Sequence, residues 1–270
     1  MAADSVFACV GGGSIWEQYG GVGLFIDLEQ TPRRWKSVCY GKSGDQYAAT
    51  IYNAPPVTTG DIYKRANGVG DFEPMGFTTQ SSFYGWSGIS VGPDGTLWAV
   101  RQDSTIFKQA NGVGDLVSTG VKPHTWANGI VCCPLTNDIY VSVYGVGIYQ
   151  WFNGLESSAG WVAEARNWGH LAANPVDGFI LCPSASQALF GRVSRTGTFE
   201  QVAGTSPSIT GVGISRAGYV FISSYSGIWA YYNGLYNPVT QIETTARSWT
   251  SVASDRYGPQ ASRSYATIIG

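Results

Sequence analysis

The sequence predicts an all-β chain, a six-bladed β-propeller with four-stranded antiparallel blades. Three observations carry the prediction. A hairpin-like signature recurs six times, a tryptophan recurs in phase with it, and short apolar runs lie between the two. A repeat of about 40 residues holding four strands is the mark of a propeller blade.

The signature is an aliphatic residue, an aromatic, three further residues and a turn dipeptide ending in Gly. "IYKRANGVGDF" at 62–72 returns almost letter for letter as "IFKQANGVGDL" at 106–116. Further copies run from Ile148-Tyr149 to Asn153-Gly154, from Ile228-Trp229 to Asn233-Gly234 and from Ile15-Trp16 to Gly20-Gly21. A stretched copy joins Leu189-Phe190 to Thr196-Gly197. Asn-Gly tolerates positive φ at both residues, so it predicts a tight type I′ hairpin between strands three and four.

The tryptophan markers are Trp35, Trp86, Trp126, Trp168 and Trp249, with Ile209 standing in once. Their spacings are 51, 40, 42, 41 and 40 residues, and each opens strand one of a unit. Each indole is expected to wedge between neighbouring blades, burying on the order of 150–250 Å². Strand two follows a turn such as "GPDG" (92–95) or "NPVDG" (174–178) and reads "TLWAV", "DIYVSV", "GFILC" or "YVFIS". These runs do not alternate, so both faces are expected to be covered, as in stacked blades.

Five full units run from Trp35 to Ser248. The chain is then one domain, 1–270, whose last blade is assembled from 1–34 and 249–270. "WTSVASDRYG" supplies strand one, and "VFACVGGGSIWEQYGGVGLFIDLE" supplies strands two to four. Joining the termini removes exposed sheet edges. "PQASRSYATIIG" (259–270) has no slot in this scheme; a tail across a face, an outer strand and a subunit contact all stay open. "TIYNAPPVTTG" (50–60) is the largest insertion and the best loop for a specific contact.

Composition narrows function. Only 13% of residues are charged, against about 25% in average domains, and the net charge is −2. No basic run exists, so nucleic acid is not an expected partner. No apolar run reaches the ~18 residues of a membrane span, and the N-terminus lacks the pattern of a signal peptide, which suggests folding in a cytoplasm. Five cysteines, two of them adjacent and none in C-x-x-C spacing, suggest free buried thiols. With only His124 and His170 beside them, neither zinc nor another cofactor is expected.

No catalytic constellation is legible. There is no G-x-S-x-G elbow, so a Ser-His-Asp enzyme is not expected. His170 is read as a hydrogen-bonded residue near the axis and His124 as a loop residue. "SVGPDGTLW" approaches a sialidase Asp-box, but Asp94 falls at +4 from Ser90 instead of +2, and a turn explains it. Asp71, Asp115 and Asp138 sit at turns, where capping and solvation are the expected roles. The glycine-rich "NGVGDF" lacks the following helix that a phosphate loop needs.

Two resemblances follow from these units. "WSGISVGPDGTLWAVRQDSTIFK" (86–108) resembles a blade of the tectonin and tachylectin propeller lectins. Units of the form "GDIYKRANGVGDFEPMG…W", at 60–98, 104–140, 147–168 and 11–35, resemble repeats of tail- and fibre-associated proteins of tailed bacteriophages. The second implies a non-catalytic structural or interaction component of a virion (tail, fibre, collar or decoration), with host-surface glycans as optional contacts. Its partners would be other virion proteins, and its site the virion after assembly in the host cytoplasm; homo-oligomerisation stays open. The first implies a carbohydrate-binding lectin outside a virion, and a glycan-processing enzyme is the third alternative. Sugar stacking needs exposed aromatics near polar partners, and the candidates are Tyr52, Tyr84, Trp151, Trp161, Tyr232 and Tyr236.

Overall fold

The computed structural model describes residues 5–19, 23–42, 44–51, 60–78, 85–185, 188–193, 195, 197–203, 208–232 and 240–254. The strands are β1 (Val6–Gly13), β2 (Ile15–Gln18), β3 (Ile26–Asp27), β4 (Arg33–Tyr40), β5 (Gln46–Thr50), β6 (Ile62–Arg65), β7 (Glu73–Pro74) and β8 (Trp86–Val91). They continue with β9 (Leu97–Arg101), β10 (Ile106–Gln109), β11 (Val117–Ser118), β12 (Ala127–Cys132), β13 (Ile139–Val143), β14 (Gly147–Phe152), β15 (Ser157–Trp161) and β16 (Ala172–Ala173). The last are β17 (Ile180–Pro183), β18 (Leu189–Arg192), β19 (Glu200–Ala203), β20 (Ile209–Ile214), β21 (Val220–Ser224), β22 (Gly227–Tyr231), β23 (Thr240–Glu243) and β24 (Trp249–Ser254). Among the described residues no helix is long and apolar enough to cross a membrane.

The chain is all-β, with four-stranded antiparallel blades in a propeller arrangement. β8–β11, β12–β15, β16–β19 and β20–β23 each form a four-stranded sheet in chain order. The other eight strands share one sheet, in the order β3-β2-β1-β4-β5-β6-β7, with β24 also on β1. β24 runs antiparallel to β1, pairing Val6 with Ser254 and Ala8 with Val252. Only the far end of β1 reaches β4, through Gly11↔Arg34 and Gly13↔Arg33. The first strands are neighbours in sequence: β4 touches β8, β8 touches β12, β12 touches β16, β16 touches β20, β20 touches β24 and β24 touches β4.

The apolar second strands lie between packed sheets. Ile139–Val143 and Val220–Ser224 are buried at every residue, so neither face meets water. The core divides into clusters that each straddle two groups of strands. One joins Cys39, Tyr47 and Ile62 to Trp86, Ile89 and Leu97; another joins Phe7, Cys9 and Ile15 to Trp35, Val38 and Tyr63. Polar groups stitch the same seams: Ser37 Oγ accepts from Ile89 N–H at 3.2 Å, and Thr250 Oγ1 donates to the Trp35 carbonyl at 2.9 Å.

Small residues let the first strands approach this closely. Gly88, Gly129 and Gly211 stand two positions into β8, β12 and β20. A Cβ on Gly88 would sit 2.8 Å from Ile130 N and 2.9 Å from Gly129 Cα, backbone atoms of the next first strand. Gly88→Val is therefore expected to destabilise by about 1–3 kcal/mol, since backbone cannot rotate away. Chemical denaturation would check this, and an unchanged midpoint would contradict the close approach.

Four marker tryptophans are core residues: Trp35, Trp86, Trp168 and Trp249 are at most 3% exposed. Each meets, edge to face, the signature aromatic two strands away in its own sheet. The pairs are Trp35–Tyr63 at 5.1 Å, Trp86–Phe107 at 5.1 Å, Trp168–Phe190 at 5.2 Å and Trp249–Trp16 at 6.2 Å. Trp126 departs from the expectation, being 60% exposed with φ 67°. The register explains it: Trp35 and Trp86 lie opposite Thr50 and Arg101, but the equivalent partner Val143 faces Ala127. The seam position is thus taken by Ala127, and Trp126 lies one residue outside it.

The described Asn-Gly turns, at 67–68, 111–112 and 153–154, take positive φ at both residues, as expected, with Asn67 at 50° and Gly68 at 60°; Asn233-Gly234 lies outside the described residues. They are wider than two-residue hairpins, however. The loop between β6 and β7 covers residues 66–72, with a 3-10 turn at Ala66–Gly68. A clamp holds it: the third residue after the signature Ile donates to the carbonyl five residues on. This occurs as Gln18–Gly23, Arg65–Gly70, Gln109–Gly114 and Arg192–Gly197. In the stretched copy Arg195 adopts φ 65° in place of Asn.

Candidate binding grooves at the blade seams

Among the described residues, open space lies at the axis and along the seams. At the axis a space of about 20 Å³, room for little more than a water, is lined by Val38, Ile89, Ile130, Leu171, Val212 and Val252, one from each inner run, together with Ser37, Ser251, Ser254 and His170. His170 sits near the axis as expected, but it is not hydrogen-bonded through Nε2, which is buried without a partner. Burial, helped by the charge of half-buried Lys36, holds its imidazole well below the ordinary 6.5. The unfolded chain takes up a proton near pH 6.5 and the folded chain does not, so stability is full above that pH and falls below it. Near pH 5 the loss is expected to be about 2 kcal/mol. Denaturation of wild type and His170→Gln across pH 5–8 would read it; an equal slope in both would assign the loss elsewhere.

The seam grooves open where the outer strand of one sheet meets the tryptophan of the next. One, of about 390 Å³, is lined by Phe77, Trp86, Arg101, Phe107, Asp115 and Leu116. Its counterpart two sheets on, of about 590 Å³, is lined by Trp161, Glu164, Arg166, Trp168 and Phe199 among others. Both floors are built alike: Trp86 Nε1 donates to the Phe77 carbonyl at 3.0 Å, and Trp168 Nε1 to the Glu164 carbonyl at 2.9 Å. A guanidinium lies over the signature aromatic of each, Arg101 at 5.4 Å from Phe107 and Arg166 at 4.8 Å from Phe190. The contact fixes the head group at the groove and is worth about 0.5–1 kcal/mol when exposed.

The walls differ. On the outer strand, the residue opposite the signature aromatic is Asp27, Pro74, Ser118, Trp161, Gln201 or Gln241. Only Trp161 is aromatic. It meets Tyr149 edge to face at 5.0 Å, filling the role that Ala127 cannot, yet it remains 42% exposed. His124, a loop residue as expected, lies 6.3 Å from its ring.

Of the described aromatics singled out from sequence, Trp151, Trp161 and Tyr232, Trp161 is the one both exposed and in a groove. Trp151 is a correction: it is 6% exposed, with its ring 4.4 Å from Tyr149 in a seam cluster, because it points inward on β14. Tyr232 is half-buried and packs edge to face on Tyr219 at 5.3 Å, and burial raises its hydroxyl pKa. Tyr52, Tyr84 and Tyr236 lie outside the described residues, as do most of the 50–60 loop and the 259–270 tail. Glu164, Arg166 and Phe199 were not anticipated. The Arg-x-Trp spacing at Arg33–Trp35, Arg166–Trp168 and Arg247–Trp249 was the available signal, since Arg33 and Arg247 likewise cover Tyr63 and Trp16 at 4.7 and 4.0 Å.

Asp138 is a second correction. It is a wholly buried acceptor rather than a solvated turn residue. Arg195 grips it with Nε and Nη2 at 2.8 Å each, and Gln150 Nε2 and Asn153 N–H add bonds at 3.2 and 3.1 Å. All five cysteines are free and buried, and burial pushes the Cys9 thiol to about 12 and Cys182 well above its usual value. Such thiols are protonated and poor nucleophiles. Among the described residues no group of three or more His, Cys, Asp or Glu side chains could hold a metal ion.

No family model matches the sequence, and no curated protein matches it. Solved structures do resemble it. A chain of a nidogen/laminin complex superposes with TM-score 0.68 at 11% identity, covering 93% of this chain and 97% of that one. A Bacteroides caccae protein of unknown function gives 0.65 at 10% identity, covering 94% and 99%. The Niastella koreensis GH74 enzyme gives 0.58 at 18% identity, covering 93% of this chain and 39% of its own. At these identities the likeness establishes the propeller-type fold alone.

Proposed function

We propose that the chain is a closed wheel of six blades serving as a non-catalytic structural and interaction component of a tailed-phage virion. In this reading β24, β1, β2 and β3 make one blade and β4–β7 another, joined where Gly11 and Gly13 of β1 reach β4. The unbroken circuit of first-strand contacts, β24 back to β4 included, supports closure. Six shared core clusters, one per seam, support the blade count.

The observation that carries the interaction role is where chemistry is and is not concentrated. The axis offers room for little more than a water, between aliphatic side chains, Ser37, Ser251, Ser254 and a neutral His170, whereas the open polar and aromatic surface lies in the seams. A rigid wheel with seam grooves suits recognition by contact. The virion setting rests on the repeated unit itself. Mass spectrometry of purified particles tests it: the chain at a fixed copy number is expected, and particles without it refute that setting.

One observation favours a second reading, a carbohydrate-binding lectin outside a virion. It is the exposed Trp161 beside Glu164 and Arg166, an aromatic flanked by polar partners. Glycan binding by a chain absent from particles would select it.

A further inference from the structure

The geometry points to the groove between β15 and the β16–β19 sheet as a saccharide site, occupied once per chain rather than once per blade. This deepens the glycan-contact part of the function proposed above and rests on it. The argument begins with what differs among equivalent positions. The other five residues at the Trp161 register are Asp, Pro, Ser, Gln and Gln, none with a flat apolar face. Packing alone accounts for part of Trp161, because Tyr149 needs an edge-to-face partner where Ala127 has replaced a tryptophan. Packing does not account for the remainder, since 42% of the side chain faces solvent at the groove's rim.

The polar complement suits hydroxyls. Glu164 and Arg166 form an exposed ion pair at 3.3 Å, with side chains 85% and 42% accessible. Together they present acceptors and donors without net charge. Arg166 is braced over Phe190 at 4.8 Å, so its free N–H groups are held at the groove instead of sweeping through water. A carboxylate and a braced guanidinium can bind vicinal hydroxyls, while the apolar face of a pyranose stacks on the indole. Phe199, Trp168, Val162 and Ala163 are among the residues that complete the groove. Its volume of about 590 Å³ accommodates a short oligosaccharide rather than one ring.

Saturation-transfer NMR with oligosaccharides of glucose, galactose and N-acetylglucosamine tests the site, after a glycan array has chosen the tightest. Trp161→Ala is expected to lose about tenfold or more in affinity. Glu164→Ala, a change at a side chain too exposed to unfold the chain, is expected to weaken binding several-fold. Trp126→Ala, another exposed indole, should leave binding intact. Wild-type binding that survives both Trp161→Ala and Glu164→Ala would overturn the groove while leaving glycan contact standing. Failure of the wild type to bind any arrayed glycan would overturn both, and the particle measurement would still judge the virion role separately.

Discussion

Trp168→Ala is expected to cost about 3–5 kcal/mol of stability, the range for deleting a large buried aromatic. Trp168 is 1% exposed, stacks edge to face on Phe190 at 5.2 Å and donates Nε1 to the Glu164 carbonyl at 2.9 Å. The cavity would open at a seam, where the surrounding strands belong to two sheets and cannot collapse together. Trp126→Ala, by contrast, should change stability by no more than about 0.5 kcal/mol. Guanidinium denaturation of the two variants compares them directly. Equal losses would mean that Trp126 fills a seam after all and that the Ala127 register is wrong.

Glu17→Ala should rank with it, at about 3–5 kcal/mol, because one member of a buried ion pair is removed and the other left behind. Glu17 is 2% exposed and joins elements far apart in sequence. Arg65 Nη1 donates to it at 2.9 Å, Gln46 Nε2 at 2.7 Å and the Tyr40 hydroxyl at 3.4 Å. These bonds tie β2 to β4, β5 and β6 across the one seam where β1 also bridges. Without the carboxylate, Arg65 would keep Gln46 Oε1, the Gly70 carbonyl and the Tyr19 side chain. Glu164→Ala at the surface is the control and should be nearly neutral. A neutral Glu17→Ala would show that water reaches this cluster.

How much of this was legible follows from where information lies along the chain. The blade unit was legible because Ile62-Tyr63…Asn67-Gly68 and Ile106-Phe107…Asn111-Gly112 repeat both letters and spacing. The strand that joins the two ends was also legible, since "VFACV" matches strand two and β24 begins at Trp249. The exact seam register was not. Trp126 and Ala127 are adjacent, and a spacing of about 40 cannot separate them. Outer strands such as β3, β7 and β11 have two residues each, too short for any period to register. The groove was half legible. Trp161 could be named as an aromatic, but Trp151 looked identical, and only the pleat of β14 decides which of them faces inward. The Glu17–Gln46–Arg65 network left no trace, because nothing local marks residues that meet only after folding.

The pairing of Val6 with Ser254 has a bearing on how the molecule is born. A ribosome releases β1 long before β24, so β1 must wait for its neighbour while all the strands between them are made. At roughly 5–20 residues per second that delay is on the order of tens of seconds. Throughout it, β1 carries a bare row of amide and carbonyl groups and the side chains of Phe7 and Val6, open to any other nascent strand. Synthesis rate and chaperones therefore bear on the yield of this fold as directly as the packing between its sheets.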